Sequence, residues 1–352
     1  MLVGGPWEVD MTVIDPTSTR PTLVDVACAA GVSTATASRV LNGLTNVRQE
    51  TRDQVERAML TLGYVRHRAP RRLPADHAGS IALVVCEEGM RLFSDPFFAR
   101  ILGGVSRALA STDTQLVLLI TQSVKDYETS VLRYLRSGHA DGAMFVSMHG
   151  RYPIDLARIG VPVVSTGRPV CAQAARYSYV DSDNHGGAQR AVLHLIESGR
   201  KDIATVAGPP DMTPGVDRLA GYRAAVTTTR AYDPGLVAHG DFSQPSGEHA
   251  VRLLLDRRPD IDAVFVASDL MAMGVLRGLR RAGRRVPDDV AVIGFDDSPA
   301  ARHTDPPLTT VRQPVEEMGA RTAYELLALI ADPDAQPRNV VLPTELVLRE
   351  SA

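Results

Sequence analysis

VDVACAAGVSTATASRVLNG, residues 24–43, is built almost wholly from Ala, Val, Ser and Thr, and Leu41 is its one large hydrophobe. Small residues in such number suit two short helices that cross closely. Val26 and Ala30 fall on one face of a first helix, Val32 lies in the turn, and Ala37 and Val40 share a face of a second. Ala27 is small where the two axes must cross, and Gly31 can take the positive φ that a tight inter-helix turn requires. Ser33 is a good N-cap for the second helix, which then shows Thr34, Ala35, Thr36, Ser38 and Arg39 outward. That is the pattern a helix-turn-helix needs.

A helix entering a DNA major groove needs short groups near its N-terminus, because bulky ones would hold it away from the base edges. Arg39 can reach guanine O6 and N7 in bidentate fashion, and Thr36, Ser38 and Asn42 suit phosphates. Charge agrees. From Arg20 to Leu73 nine arginines face four carboxylates, a local charge of +5, which leaves −8 for the remainder of a chain whose total is −3. A small basic module joined to a larger acidic body implies that one part meets a polyanion and the other does not. The alternative is a helical hairpin packed inside a larger domain, and the scarcity of greasy residues weighs against it.

At 352 residues the chain is long enough for two or three domains. No stretch approaches the roughly 18 consecutive apolar residues of a membrane helix. The first 20 residues carry Glu8, Asp10 and Asp15 and no continuous apolar run, unlike a secretory signal, so a cytoplasmic location is expected, with no membrane partner. Residues 1–19 read as a flexible extension, and Met11 is an alternative start. Cys28, Cys86 and Cys171 are odd in number and far apart, which fits neither a disulfide framework nor a zinc site. No cofactor or metal is expected.

Helical patterning runs from Leu23 to about Tyr64, with helices expected at about 23–30, 34–41 and 49–62. RHRAPRRLPADHAGS, residues 66–80, is polar, basic and proline-bearing, and reads as a linker. At Ile81 the pattern changes. IALVV, QLVLLI, GAMFVS, PVVST, DIATVAG, AVFVAS and VAVIGF are short apolar runs of the kind expected of strands covered on both faces. Between them lie helix-length segments such as FFARILGGVSRALAS, GAQRAVLHLIESG and LMAMGVLRGLRRAG. Strand alternating with helix argues for parallel sheets flanked by helices, and the length argues for two lobes.

TLVDVACAAGVSTATASRVLNG followed by VRQETRDQVERAMLTLGY resembles the N-terminal domain of the lactose-repressor (LacI/GalR-type) family of bacterial transcription regulators. The resemblance continues through DPFFARIL, GGAQRAVLHLIESG, RLAGYRAAV, VFVASDLMAMGVLRGL, VPDDVAVIGFDD, PPLTTVRQP and LPTELVLRES, covering about 330 residues. It implies an all-α helix-turn-helix domain (20–66), a hinge helix and linker (67–79), and a two-lobed α/β effector-binding and dimerisation domain of periplasmic-binding-protein type (80–352). The first lobe would hold about 80–179 and 312–339, the second about 180–311 and 340–352. Leu73 matches the family leucine that pries into the central minor-groove step when the hinge folds on DNA, an apolar wedge that kinks the duplex. Departures sit here: Arg66-His67 stands where the family has Pro-Asn, and Pro70 where it has Ala, tolerable only in a first helical turn. Thr22, Leu23, Ser33, Asn46, Arg48 and Arg68 complete the expected DNA-contacting set. The partners implied are a pseudopalindromic double-stranded operator, a second copy of the chain and a small-molecule effector, a sugar or sugar derivative, controlling a repressor. The family's tetramers use a C-terminal leucine segment that this sequence lacks, so a homodimer is expected.

Sugar clefts combine an aromatic face with carboxylate, amide and guanidinium groups that bracket hydroxyls. Candidates at strand ends or helix starts, where open α/β sheets place ligands, are Phe97 or Phe98, Arg168, Arg218, Phe242, Asp269, Asp296 and Gln313. The resemblance supports Arg218, Phe242, Asp296 and Gln313 most directly, and Ser268 stands where a ligand-contacting Asn is common. Glu87 and Glu88 are further possible acceptors, while Asp269 and Asp296 have capping roles as alternatives and Phe97 a core role. Walker, HExxH and GxSxG motifs are absent. DSDNHGG offers metal ligands superficially, but Asp183 or Asn184 opening a helix explains it better. An enzyme is therefore not expected. A stand-alone binding protein of periplasmic type is the competing class, and residues 23–73 discriminate against it.

Overall fold

The computed structural model describes residues 23–41, 47–62, 78–150, 154–170 and 176–352. The chain separates into two compact units between residues 72 and 73. In the first, α1 (Leu23–Ala29), α2 (Thr34–Leu41) and α3 (Gln49–Leu62) match the expected helices to within a residue. Their core is Val26, Ala27, Ala37, Val40, Val55 and Ala58. The Val32 amide bonds the Ala27 carbonyl at 3.0 Å and the Gly31 amide bonds that of Cys28 at 3.1 Å, with Gly31 at φ +65°. This paired closure needs a left-handed residue at the helix end, which is why glycine stands there. Ser33 Oγ accepts the Thr36 amide at 3.1 Å and caps α2.

The second unit holds two six-stranded sheets. The first contains β1 (Ser80–Val85), β2 (Gln115–Ile120), β3 (Gly142–Val146), β4 (Val163–Thr166), β5 (Ser178–Ser182) and β11 (Asn339–Leu342). Their spatial order is β2-β1-β3-β4-β5-β11, all parallel. The second contains β6 (Ile203–Ala207), β7 (Val237–His239), β8 (Ala263–Val266), β9 (Ala291–Asp296), β10 (Thr309–Arg312) and β12 (Glu345–Val347). Its order, β7-β6-β8-β9-β10-β12, repeats the first, with only β12 antiparallel. The expected lobe boundaries at 180 and 340 each cut a strand of the first sheet. The crossings fall after β5 and after β11 instead, because Val180 to Ser182 and Val340 to Leu342 still pair with each other in register.

Helices cover both faces. The first lobe has α4 (Gly89–Ser94), α5 (Pro96–Leu109), α6 (Val124–Asp126) running through a π turn into α7 (Leu132–Arg136), and later α12 (Val315–Ala331). The second has α8 (Asn184–Glu197), α9 (Thr213–Val226), α10 (Gln244–Arg257) and α11 (Asp269–Arg281). Ile81, Leu83 and Val85 of β1 pack towards α5 and α12, while Ala82 and Val84 face the opposite layer with Phe145 and Leu135. A strand buried on both sides must be apolar throughout, hence its continuous run. Among the described residues no helix is long and apolar enough to cross a membrane.

Helix α5 meets α12 at glycines. A Cβ on Gly104 would lie 2.0 Å from the Glu316 carbonyl oxygen, whereas a Cβ on its neighbour Gly103 would meet nothing within 4 Å. Gly104→Ala is therefore expected to destabilise the protein by about 1–3 kcal/mol through forced separation of the helices. Gly103→Ala should be neutral or stabilising by up to ~1 kcal/mol. Denaturant unfolding of the two variants checks this, and equal effects would discredit the close packing.

Candidate functional site

On α2 the chain separates two duties. Ala37 and Val40 are buried, while Ser33, Thr34, Ala35 and Arg39 are exposed and Thr36 and Ser38 half-buried. Leu23 is half-buried at the start of α1, packed against the helical core, and Arg48 is exposed just ahead of α3. Thr22, Asn42, Asn46, Arg68 and Leu73, with most of the expected hinge, lie outside the described residues.

Both sheets reverse strand order at their first strand, and their carboxyl ends supply the walls of one cleft between the lobes, with about 730 Å³ of space including its open mouth. Ligands in open α/β sheets bind outside such switch points. The first lobe contributes Arg91, Asp95, Phe97, Phe98, Ser147 and Arg168, and the second Asn184, Thr213, Arg218, Phe242, Ser268 and Asp296. Ser147, Phe242 and Asp296 have φ of +61°, +69° and +120°. Positive φ is costly for residues with a Cβ, and such strain gathers at functional sites.

Arg218 is the centre of the second lobe's wall. It is 4% exposed, donating from Nε to Asn184 Oδ1 (2.8 Å) and from Nη1 to the Ala267 carbonyl (2.6 Å) and Asp296 Oδ1 (3.4 Å). Its Cζ lies 3.7 Å from the Phe295 ring centroid. Burial lowers its pKa, and the carboxylates of Asp296, Asp181 and Asp269 oppose that shift. Asp296 Oδ1 also accepts from Gln313 Nε2 at 2.6 Å, and Gln313 Oε1 accepts from Ser182 Oγ at 2.9 Å. Gln313 thus joins the end of the first sheet to the second lobe's carboxylate. Desolvation raises the pKa of Asp296, of Asp181 and of Asp95. Arg168 grips both oxygens of Asp217 at 2.7 Å, and its carbonyl accepts from Thr213 Oγ1 at 2.8 Å, so it too spans the lobes.

The aromatic candidates divide. All three line the cleft, Phe97 half-buried and Phe98 and Phe242 with only 2% and 6% exposure. Phe242 is flanked by the guanidiniums of Arg91 and Arg218, 5.3 and 5.9 Å from its centroid. Asp269 does not line the cleft. It is fully buried, accepting from the Ser298 amide and the Thr310 hydroxyl, both at 2.6 Å, and ties α11 to the segments after β9 and in β10. Its neighbour Ser268 caps α11 by accepting the Met271 amide, and lines the cleft. Glu87 is buried outside the lining residues and Glu88 is exposed. Asp183 caps α8 through the Gly186 amide, and among the described residues no cluster of three metal-ligand side chains occurs. Arg91, Asp95, Asp181, Asn184 and Thr213 were not foreseen, because they stand in turns, in first helical turns or, for Asp181, in a strand without a continuous apolar run, where only the fold says which way they face.

A basic helix-turn-helix unit and a two-lobed cleft together define a ligand-responsive DNA-binding regulator. Residues 22–67 match the family model described as bacterial regulatory proteins, lacI family, and residues 192–352 match a periplasmic binding protein-like domain. The HTH-type transcriptional regulator CelR of Thermobifida fusca is 48% identical over 335 residues, 94% of this chain and 98% of that one. Among solved structures, the complex of the transcriptional regulator CelR with cellobiose is similar at TM-score 0.75 and 46% identity, covering 95% of this chain and all of that one. The lac repressor dimer bound to operator and the anti-inducer ONPF is similar at TM-score 0.78 and 26% identity, covering 95% and 99%. The chain belongs to the lacI family of bacterial regulatory proteins. It is a transcriptional regulator and not an enzyme, as its relatives are regulators.

Asp269→Asn is expected to lower stability by about 1–3 kcal/mol, since an amide nitrogen replaces one of two acceptor oxygens that each face a donor. Thermal and denaturant melts check this. Unchanged stability together with lost ligand affinity would return Asp269 to the binding residues.

Proposed function

We propose that the chain is a repressor that acts as a homodimer in the cytoplasm on a pseudopalindromic operator, and that a neutral saccharide held between the lobes controls its operator affinity. Cellobiose is the first effector to test. The observation that carries the effector class is the cleft's balance of charge: the three guanidiniums that line it (Arg91, Arg168, Arg218) meet three lining carboxylates (Asp95, Asp181, Asp296), and Arg91 and Arg168 are also paired with Glu87 and Asp217. An anionic ligand would have to compete with the carboxylates already paired to each of these guanidiniums, while hydroxyl groups can donate to desolvated carboxylates and accept from arginine. The likeness to a regulator solved with cellobiose supports the same reading. Phe97, Arg168, Arg218, Phe242, Asp296 and Gln313 form the proposed ligand set, with Phe98 backing it.

On the DNA side, Thr34, Ala35 and Arg39 are assigned to base edges, and Ser33, Thr36, Ser38 and Arg48 to phosphates. Thr22, Leu23, Asn42, Asn46 and Arg68 join them, and Leu73 is the wedge. Effector binding shifts the dimer between arrangements that favour or disfavour the operator-bound state, and the shift is bounded by the effector's differential affinity for the two.

Millimolar cellobiose is expected to raise the melting temperature of the wild-type chain and change its operator affinity at least fivefold. Asp296→Asn should weaken cellobiose binding tenfold or more, roughly the worth of a hydrogen bond to a charged group. No shift with any neutral mono- or disaccharide would refute the effector class. Arg39→Ala should cost about 1–3 kcal/mol of operator binding and relax the preference at one base pair per half-site. A uniform loss across all operator variants, read by gel shift, would place Arg39 on phosphate instead.

A further inference from the structure

Arg91 carries an unanswered donor. Its Nη1 donates to Glu87 Oε1 at 2.6 Å and its Cζ lies 5.3 Å from the centroid of Phe242 in the other lobe, so the guanidinium is held at two points. Its Nε is buried and has no hydrogen-bond partner among the described residues. A buried N–H left unpaired is costly, and native proteins rarely leave a guanidinium donor in that state without a ligand or water to accept it. Arg91 lines the cleft, and Leu92 beside it is buried in the first lobe's core, which fixes the helix that presents it.

Glu87 holds this arginine in place. It is buried, and its Oε1 also accepts from Ser147 Oγ at 2.5 Å and faces His149 Nε2 at 3.0 Å. Burial works to raise its pKa, but the hydrogen bonds from His149 and Ser147 and the charge of Arg91 outweigh that and hold it below the ordinary value. His149 Nδ1 in turn faces Asp211 Oδ2 of the second lobe at 3.1 Å, and the Gly150 amide donates to the Asp211 carbonyl at 2.7 Å. The carboxylate that steers Arg91 therefore also takes part in a bridge between the lobes.

We propose that Arg91 is an effector-contacting residue, its guanidinium donating to an acceptor oxygen of the bound saccharide, and that Glu87 is its positioning residue. The inference rests on the reading of the cleft as a saccharide site. The competing account makes Arg91 only the counterion of buried Glu87, and the two accounts diverge when both charges are removed. Cellobiose binding is measured by calorimetry on the full-length wild type, Arg91→Met, Glu87→Gln and the double variant, with thermal melts confirming that each folds.

Arg91→Met is expected to weaken cellobiose about tenfold or more, the worth of a charge-assisted hydrogen bond. Glu87→Gln should weaken it less, and the double variant should match Arg91→Met, because a positioning residue has no effect once what it positions is gone. Arg91→Lys keeps the charge beside Glu87 but lacks the guanidinium; it stands in if Arg91→Met does not fold, and should be weakened likewise. Recovery of wild-type affinity in the double variant would establish the counterion role and overturn the proposal, as would undiminished binding by Arg91→Met. Additive losses would overturn the positioning role of Glu87. A wild type that binds no neutral saccharide would sink the reading of the cleft itself, an outcome distinct from a wild type that binds and an Arg91 variant that binds equally well.

Discussion

The Arg218 guanidinium is a charge taken out of water, and much of the cleft follows from satisfying it. Effective desolvation of one ion in a protein costs several kcal/mol, repaid only by close partners. Here those partners are an amide, a carbonyl, a carboxylate and the face of Phe295. Each is tied onward: Asn184 Nδ2 donates to Asp181 Oδ1 at 2.9 Å, and Asp296 accepts from Gln313, which holds Ser182. A requirement that begins in the second lobe thus ends by fastening the first. Closure and ligand recognition share the same groups, so a ligand that alters the hydrogen bonding of Asp296 or Arg168 alters what holds the lobes together.

The repeated strand order places these groups without long-range coincidence. Two copies of one doubly wound topology put the ends of β1, β3, β6, β8 and β9 at facing edges. The turns there need only be short for their side chains to enter one cleft. The chain passes between the lobes after β5, after β10 and after β11, so any opening motion is tethered by three crossing segments.

Strands buried on both faces could be read directly, since IALVV, GAMFVS and AVFVAS have no polar face to disguise them. Others were passed over for the converse reason. SYVDS of β5 and TTVR of β10 carry polar residues with structural or site duties: Asp181 and Ser182 at the cleft end of the one, and Thr310, which donates to buried Asp269, in the other. Strand β7 has three residues and β12 three, too few for a period to declare itself. In the cleft, Arg218, Asp296, Arg168 and Gln313 stand among the lining residues, but Asp269 shows the weakness of choosing by strand ends alone. Its carboxylate turns inward to Ser298 and Thr310, and which way a residue at a helix start turns depends on partners distant in sequence. Arg91 was hidden likewise, because its helix of six residues leaves no periodic trace and its partner Glu87 precedes it in a turn.

Helix α2 buries its packing residues, Ala37 and Val40, and leaves Thr34, Ala35 and Arg39 exposed. The exposed side chains support none of the hydrophobic core of their unit. Mutation there carries little penalty in folding, and evolution can rewrite them separately from the fold. Descendants of one such gene can therefore diverge to address different promoters while inheriting an unaltered scaffold, and a duplicated copy need not regain stability each time it acquires a new target.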